Sequence, residues 1–298
     1  MIIAIFTALL SSCGQQADSS QEPIPEPQPE IQAPSFTPEN YPVVDGSTVT
    51  IPLSEAIGAK IMGLPIEEAR QYIVHYKTHQ AYVNLIEGNA DLIFVTGPSA
   101  GELELAAEKG VELEVIPVVS EGFVFLASSD NPVEGLTLDQ IKDIYTGKIT
   151  NWKDAGGEDA AVRAYQRPEN SGSQTGFLEL VMQGLTPMTP PIEQVTAEMG
   201  ELIDAVAAYD NKPDAIGYSY YYFVTDMWGN DDVKLLRVDG VYPDKETISS
   251  GEYSLRTAYY AVIRADEPEG SASRQIIDWL LSEEGQTLAE EAGYVKIK

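Results

Sequence analysis

The chain has few of the residues that build covalent or metal-based sites. Its 298 residues include one cysteine and two histidines. A single cysteine excludes an intrachain disulfide and a cysteine-rich metal site, and His75 and His79 alone make no metal cluster. Phosphate-loop, dinucleotide-binding and zinc-peptidase motifs are also absent. We therefore expect no cofactor and no metal.

Basic residues are scarce as well. The chain has 18 Lys and Arg against 47 Asp and Glu, a formal net charge of -29. Such a balance argues against nucleic acid as a partner and against electrostatic docking on anionic lipid, because both need basic surface. Any anion site must therefore be built locally, since charges farther than about 8–10 Å are largely screened at physiological salt.

The apolar run Ile2–Leu10 is too short to cross a bilayer but has the length of a signal-peptide core. It ends in Leu10-Ser11-Ser12-Cys13, which resembles the lipobox of bacterial lipoproteins, in which the cysteine becomes lipidated. The absence of a basic residue before the run is a departure from that pattern. Residues 1–13 are thus predicted to be a lipoprotein signal segment, the alternative being a core strand with a chance cysteine.

A polar, proline-rich segment follows, with prolines at 23, 25, 27, 29, 34 and 38. It holds too few large apolar residues to offset the entropy of ordering. Residues 14–40 are therefore predicted to form a disordered tether, which would hold a soluble domain near a membrane.

From Tyr41 onward, strand-like and helix-like runs alternate, which is typical of α/β architecture. The predicted strands are Tyr72–Val74, Asp91–Val95, Leu113–Val118, Phe123–Ala127, Ala161–Tyr165, Gly217–Val224, Val233–Val238 and Ala258–Ile263. The predicted helices are Pro52–Met62, His79–Glu87, Gly101–Glu108, Leu138–Thr146, Gln174–Met182, Met199–Asp210 and Arg274–Ala292.

The most informative stretch is AYQRPENSGSQTG, residues 164–176. It predicts a short strand, a loop with Arg167, and a helix that begins near Ser171, Gly172 and Ser173. The N–H groups at a helix start lack internal partners, small residues let an anion approach them, and an arginine can bind the same anion bidentately. The stretch therefore predicts an anion-binding site.

Three other turns lead into predicted helices through small hydroxyl or glycine residues. They contain Ser47 and Thr48, Thr78 beside His79, and the sequence Thr96-Gly97-Pro98-Ser99. Such residues are also good helix caps, which is the purely structural alternative for each turn. Because ligands of open α/β sheets bind where helix starts meet the carboxyl ends of strands, we expect these turns to meet at one site.

Longer motifs point to a known family. They are LTLDQIKDIYTGKITNW (136–152) with Gly156-Gly157, the segment Arg167–Ser173, AIGYSY (215–220) and DGVYP (239–243). Together they resemble the phosphate-binding family of type II periplasmic substrate-binding proteins, the receptors of ABC importers. The resemblance covers Tyr41–Lys298.

The resemblance implies a two-lobed α/β fold, each lobe a mixed sheet flanked by helices, joined by two crossover strands. Lobe 1 would comprise residues 41–122 and 239–298, and lobe 2 residues 123–238. It further implies a receptor that delivers phosphate or a related oxyanion to the membrane subunits of an ABC importer. With the lipobox at Cys13, we expect a monomer that is lipid-anchored outside the cytoplasm. The implied ligand-binding residues are Ser47, Thr48, Thr78, Thr96, Gly97, Arg167, Ser171, Gly172 and Ser173.

One departure from the family concerns specificity. Phosphate receptors usually carry an aspartate in the loop after the strand that corresponds to Asp91–Val95, where it accepts a hydrogen bond from the protonated oxyanion. Here that loop reads Thr96-Gly97-Pro98-Ser99. Either Glu169, Asp45 or a neutral His79 is the acceptor, or selectivity for phosphate is relaxed.

Two other classes of function are alternatives to such a receptor. A serine hydrolase would need a nucleophile elbow, but GSQTG (172–176) has the wrong spacing, and neither histidine has an evident orienting partner. The chain is therefore predicted not to be an enzyme. A ligand sensor or surface adhesin on the same fold, without transport, is the remaining alternative.

Overall fold

The computed structural model describes residues 31–208 and 213–297. The strands are β1 (Val44–Gly46), β2 (Leu92–Val95), β3 (Leu113–Ser128), β4 (Gly135–Leu136), β5 (Arg163–Ala164), β6 (Ala215–Tyr220), β7 (Val233–Leu235), β8 (Arg237–Val238), β9 (Arg256–Arg264) and β10 (Val295–Lys296). The helices are α1 (Ile51–Met62), α2 (Ile66–Ala69), α3 (Lys77–Ile86), α4 (Ala100–Lys109), α5 (Leu138–Tyr145), α6 (Gly172–Gly176), α7 (Met199–Ala208), α8 (Lys245–Ser250), α9 (Ala272–Leu280) and α10 (Glu283–Glu291). Turns of π-helix occupy Phe177–Met182 and Phe223–Trp228.

Strand β3 connects the two parts of a mixed sheet whose main order is β1-β2-β9-β3-β6-β5. As far as Gly122 it pairs with β9, and from Phe123 onward it pairs with β6 and β7. Two separate strands, 113–118 and 123–127, are predicted here from the sequence. They are one strand because the intervening residues Ser120–Gly122 keep their pairing with β9.

The change of partners at Gly122 and Phe123 falls where the sequence analysis begins lobe 2. The lobe boundaries themselves stay a prediction. Helices pack on the sheet around one large apolar core to which most of the strands and helices contribute. The predicted α/β fold class is confirmed by this mixed sheet and its helices.

Strand directions explain why distant loops meet. Strands β1 and β2 are parallel, so Ser47 and Thr96, which follow them, emerge at one edge of the sheet. Strands β5 and β6 are also parallel, so Arg167 and Phe223 follow strands with a common direction.

Two predicted elements end earlier than expected. The strand predicted over 217–224 stops at Tyr220, and the N–H of Tyr222 donates to the buried Glu121 carboxylate instead of a neighbouring strand. The helix predicted over 274–292 is two helices, because Ser282 caps α10 by accepting from the N–H of Gly285.

The N-terminal predictions fall mostly outside the described residues. The predicted signal segment with Cys13 lies wholly outside them, as does the tether up to residue 30. The rest of the predicted tether is in contact with the folded chain rather than free of it: Ala33 and Phe36 pack on the core, and the Phe36 N–H donates to the Ile61 carbonyl at 3.2 Å.

In the described residues no single helix is long and apolar enough to cross a membrane. A bent pair of segments, Thr48–Met62 and Ile66–Tyr72, passes the same test by length and composition alone. The apolar side chains of α1, including Leu53 and Ile57, are buried in the core.

Candidate anion-binding site

The predicted turns meet at one cavity of about 620 Å³. Of the predicted ligand-binding residues, those that line it are Ser47, Thr48, Thr78, Thr96, Arg167, Ser171, Gly172 and Ser173. Gly97 is not among the lining residues; a side chain there would point toward the Glu179 carboxylate and the Tyr260 ring. The loops that follow β1, β2 and β5 thus reach the same space, because β2 and β6 run in opposite directions and both end near the change of β3 partners at Gly122 and Phe123.

Arg167 is held rigidly in the wall of the cavity. Its Nε donates to the Thr196 carbonyl at 3.0 Å and its Nη2 to the Ala197 carbonyl at 2.9 Å. Its Nη1 lies 3.5 Å from Ser173 Oγ. The guanidinium is therefore oriented by two backbone carbonyls and retains donor capacity beside Ser173.

The Arg167 charge is buried in the wall of the cavity. Arg167 is only 8% exposed, yet no carboxylate oxygen of the described residues lies within 4.0 Å of the guanidinium. Burial lowers its pKa, while the Tyr218 phenol and the carboxylates of Glu198 and Glu201 act in the opposite direction. A buried cation without a close partner is costly, so the site favours an anion that enters from solution.

The backbone at Arg167 is fixed by a buried polar network. The Arg167 N–H lies within hydrogen-bond distance of Gln174 Oε1, at 3.2 Å, and of the Tyr218 hydroxyl, at 3.1 Å. The Tyr218 hydroxyl also donates to Gln174 Oε1. Ser171 caps α6 by accepting from the Gln174 N–H at 3.3 Å. The Tyr218 hydroxyl thus helps to position the backbone of Arg167.

In the turn after β1, the hydroxyl of Thr50 has a structural role. Thr50 precedes α1 and donates to the Phe94 carbonyl at 2.6 Å, which ties the turn to β2. Ser47 is buried, with its Oγ 3.3 Å from Thr50 Oγ1, and its N–H donates to the same Phe94 carbonyl at 2.9 Å. Thr48 lines the cavity beside it.

The hydroxyls of Thr78 and Thr96 lie directly against Gly172. A methyl group added at Gly172 would lie 2.5 Å from Thr96 Oγ1 and 2.7 Å from Thr78 Oγ1. Thr96 is only 2% exposed, and its Oγ1 has no hydrogen-bond partner among the described residues. The Tyr220 hydroxyl donates to the Gly172 carbonyl at 2.9 Å from the other side. A buried, unpartnered hydroxyl in a cavity wall is a donor available to a ligand.

The three acceptors considered in place of the missing aspartate differ in placement. Asp45 does not line the cavity, and its carboxylate already accepts from the N–H groups of Gly46 and Tyr76 and from Asn84. His79 lines the cavity with its Nδ1 3.1 Å from Glu102 Oε1. Glu169 lines the cavity and is exposed.

Part of the cavity wall was missed by sequence reasoning. Lys77 adopts a positive φ of 71°, a conformation that L residues other than glycine seldom adopt. It forms an ion pair with Glu198 across the cavity at 2.5 Å. The remaining wall is acidic and aromatic and includes Glu201, Asp204, Phe223 and Trp228. No motif marks these residues, because they reach the cavity only through the packing of α7 and the π turn.

Comparisons with known proteins agree with this geometry. The phosphate-binding protein PstS of Bacillus subtilis is 26% identical over 100% of this chain and 92% of its own length. A crystal structure from Clostridium perfringens, described as a phosphate ABC transporter substrate-binding protein with bound phosphate, is 28% identical. It superposes with a TM-score of 0.68 over 86% of this chain and 99% of its own.

A more distant structure supports the fold alone. An ABC-type phosphate transport receptor from Vibrio cholerae is 22% identical, with a TM-score of 0.64 over 85% of this chain and 98% of its own. The model of the PBP superfamily domain matches residues 72–284, which include Arg167 and most of the cavity wall. From this match, the mixed sheet and the shared architecture, we conclude that the chain belongs to the periplasmic-binding-protein superfamily.

Proposed function

We propose that this chain is a solute-binding protein that captures phosphate or a related oxyanion in the cavity and delivers it to an ABC importer. The observation that carries the proposal is the buried guanidinium of Arg167, which is held by two carbonyls and has no carboxylate oxygen of the described residues within 4.0 Å. An oxyanion would supply the missing negative charge through charge-assisted hydrogen bonds.

The other donors are arranged to complete the shell of such an anion. Hydroxyls of Thr78, Thr96 and Ser173 come from the start of α3, the loop after β2 and the start of α6, and they approach the same space around Gly172 and Arg167. Donors from both the β1–β2 side and the β5–β6 side would enclose the ligand and exclude water, which strengthens each interaction. We propose that Ser47, Thr48, Ser171 and Gly172 contribute to the same shell, and that Gly97 does not.

The relatives support binding and transport rather than catalysis. The Bacillus subtilis relative is named a phosphate-binding protein, and the Clostridium perfringens structure a transporter substrate-binding protein. Among the described residues that line the cavity, the one histidine is His79, and its Nδ1 lies 3.1 Å from Glu102 Oε1. We propose a receptor that works as a monomer outside the cytoplasm, with no chemical step.

Membrane attachment is the second part of the proposal. We propose that Cys13 is lipidated and that residues 14–32 connect the lipid to the folded part of the chain. We further propose that residues 41–122 with 239–298, and residues 123–238, act as two lobes that close on the anion. The change of strand partners at Gly122 and Phe123 supports this division.

Calorimetric titration of the ligand-stripped chain with phosphate, sulfate and molybdate at pH 7 tests the proposed ligand. We expect saturable binding of phosphate in the micromolar range or tighter. Exclusion of sulfate would mean that an acceptor such as Glu169 replaces the missing aspartate, whereas equal binding would mean relaxed selectivity. Binding of none of these oxyanions would refute the proposal.

A further inference from the structure

A histidine in the cavity wall is held by a buried carboxylate. His79 is the third residue of α3 and lines the cavity beside Thr78. Its Nδ1 lies 3.1 Å from Glu102 Oε1. The Glu102 side chain is fully buried, whereas the His79 side chain is 49% exposed. The exposed part of the ring is therefore the part that faces away from Glu102, and it includes Nε2.

Glu102 is itself fixed at the start of α4. Its Oε2 accepts from the Ser99 N–H at 2.7 Å, and its own N–H donates to Ser99 Oγ at 3.3 Å. This capping box leaves Oε1 as the oxygen that faces His79. An ionised carboxylate can only accept, so the hydrogen between the two side chains belongs to His79 Nδ1.

This contact determines the chemistry of the second ring nitrogen. In a neutral imidazole one nitrogen carries the hydrogen and the other nitrogen accepts, and the bond made by the first decides the state of the second. With the hydrogen on Nδ1, His79 Nε2 is an acceptor. It has no hydrogen-bond partner among the described residues. His79 thus places an uncharged acceptor in the cavity wall.

The loop after β2 lies next to this histidine. Phosphate receptors of the family usually carry an aspartate in this loop, but here it reads Thr96-Gly97-Pro98-Ser99. The Tyr82 hydroxyl, on α3, donates to the Thr96 carbonyl at 2.9 Å, so α3 packs on the same loop. Ser99, at the end of the loop, caps the helix that bears Glu102. The acceptor nitrogen of His79 is therefore close to the loop that lacks the aspartate.

The two other candidate acceptors are less suited to replace that aspartate. Asp45 is outside the cavity lining, and its carboxylate already accepts three hydrogen bonds. Glu169 lines the cavity but is exposed, and its carboxylate has no hydrogen bond to any other described residue. A carboxylate also repels a bound anion, whereas a neutral imidazole accepts a hydrogen bond without that repulsion.

Resting on the proposed function, we propose that His79 Nε2 accepts the hydrogen of a protonated oxyanion, and that Glu102 is the positioning residue that keeps Nε2 free of hydrogen. Phosphate as HPO₄²⁻ can donate this hydrogen bond, whereas sulfate cannot. An unprotonated oxyanion presents only lone pairs to Nε2, so it loses the bond and meets repulsion. His79 and Glu102 together thus make the cavity selective for a protonated oxyanion.

Four ligands of equal charge separate this hydrogen bond from simple attraction. The full chain, stripped of ligand, is titrated at pH 8 with phosphate, arsenate, sulfate and fluorophosphate. As dianions, phosphate and arsenate carry a hydrogen, and sulfate and fluorophosphate carry none. We expect the first two to bind at least about tenfold more tightly than the last two.

His79→Phe keeps a planar ring and removes both nitrogens. We expect the preference for the protonated dianions to fall below about threefold, chiefly because phosphate binds more weakly. His75→Phe is the matched control, because His75 is outside the cavity lining and its Nε2 lies 2.7 Å from Ser54 Oγ. It should keep the preference of the parent chain.

Glu102→Gln tests the positioning role. Glutamine also serves in a capping box, so its amide oxygen keeps the bond from the Ser99 N–H while its NH₂ group faces His79 Nδ1. Nδ1 then accepts, and the ring hydrogen moves to Nε2. We expect the preference for phosphate to disappear, with sulfate bound several-fold more tightly than by the parent chain. Glu104→Gln is the control, because Glu104 is an exposed acid on α4 outside the cavity lining.

The outcomes separate this inference from the proposed function. Equal binding of all four ligands by the parent chain would refute the role of His79 and leave a receptor with relaxed selectivity. A preference that survives His79→Phe would assign the acceptor to another residue, and equal weakening of all four ligands would make His79 a donor; either result refutes the inference. An unchanged preference in Glu102→Gln would refute the positioning role. If none of the four dianions binds, the proposed function fails together with this inference.

Discussion

Arg167 and Glu121 are both buried ionisable residues, but their burial is compensated differently. Arg167 lines the cavity and is bonded to carbonyls that cannot neutralise it. Glu121 lies inside β3 next to the change of strand partners, and its carboxylate accepts from the N–H groups of Gly122 and Tyr222 at 2.8 and 3.2 Å. Burial raises the pKa of Glu121 to about 7, against the opposing effect of those donors.

The difference shows how a binding residue can be told from a structural one. A carboxylate can become neutral by taking a proton at ordinary pH, so Glu121 needs no ligand. A guanidinium keeps its charge at any pH at which the protein is folded. Arg167 therefore needs a counter-anion from outside, and its place in a cavity wall makes that anion accessible.

The largest effect is expected when the Arg167 charge is removed. Arg167→Met keeps the length of the stem and should weaken phosphate binding by about 2–5 kcal/mol, because the central charge-assisted contact is lost. The unliganded protein should be no less stable, since an uncompensated buried charge disappears. Titration and urea unfolding measure the two quantities.

Arg237→Met is the matched control for this change. Arg237 is exposed, lies over the Tyr242 ring and is outside the cavity, and its substitution changes the net charge equally. We expect it to leave phosphate affinity nearly unchanged. A loss of less than tenfold for Arg167→Met, or similar losses for the two variants, would contradict the role of Arg167.

The second test concerns the other buried group. The pKa of Glu121 in the folded protein, about 7, is above its ordinary value of 4.5, so the folded state keeps the proton over a range in which the unfolded chain loses it. The resulting stability is fully present below about pH 4.5 and is lost as the pH rises to about 7, a change of about 3 kcal/mol. Glu121→Gln should remove this decline while preserving an acceptor for the two N–H groups.

Urea unfolding from pH 4.5 to pH 8 compares Glu121→Gln with the parent chain and with Glu252→Gln, a change at an exposed acid. The free energy of unfolding should decline with pH in the same way for the parent chain and for Glu252→Gln. Only Glu121→Gln should show a smaller decline. Parallel profiles for all three proteins would mean that Glu121 is already ionised in the folded state near pH 5.

Much of the fold was predictable because it follows local patterns. Helix α1, helix α4 and strand β9 lie within one or two residues of their predicted bounds, and each has clear periodicity or caps. The end of β6 at Tyr220 was not predictable, because the aromatic run continues to Phe223. What ends the strand is a contact with Glu121, which is 101 residues away in sequence.

The candidate site divides in the same way. Arg167, Ser171 and Ser173 lie in one motif with a local physical meaning, so sequence could point to them. The carbonyls of Thr196 and Ala197 carry no side-chain signal, although they orient the guanidinium. Backbone acceptors and residues brought in by tertiary packing are outside what a motif can encode.

A smaller effect is expected from crowding the two sides of the cavity. Gly172→Ala would place a methyl group 2.5 Å from Thr96 Oγ1 and 2.7 Å from Thr78 Oγ1, and overpacking of this kind costs about 1–3 kcal/mol. Thr96 follows β2 and Thr78 lies in the first turn of α3, whereas Gly172 begins α6 across the cavity, so opening the cavity relieves the clash. We expect phosphate affinity to fall by roughly tenfold or more, with a smaller change in thermal stability.

Gly97→Ala provides the comparison, because its nearest neighbours would be 3.9 Å from the added methyl group, an ordinary contact distance. It should bind phosphate like the parent chain. Unchanged affinity in Gly172→Ala would show that the two sides need not come this close, and weakened affinity in Gly97→Ala would return Gly97 to the binding site.

The smallest effect separates two buried hydroxyls just as Arg167 and Glu121 separate two buried charges. Thr96 Oγ1 and Ser219 Oγ are both buried and unpartnered among the described residues, but only Thr96 lines the cavity. Removal of an unpartnered hydroxyl should leave the unliganded protein equally stable or slightly more stable in Thr96→Val and in Ser219→Ala. Phosphate affinity should fall only in Thr96→Val, by about 1 kcal/mol for one lost hydrogen bond.

Thermal unfolding with and without phosphate measures both effects, because a ligand stabilises only the state that binds it. An equal loss of phosphate-induced stabilisation in the two variants would mean that the Thr96 hydroxyl has no special place at the anion.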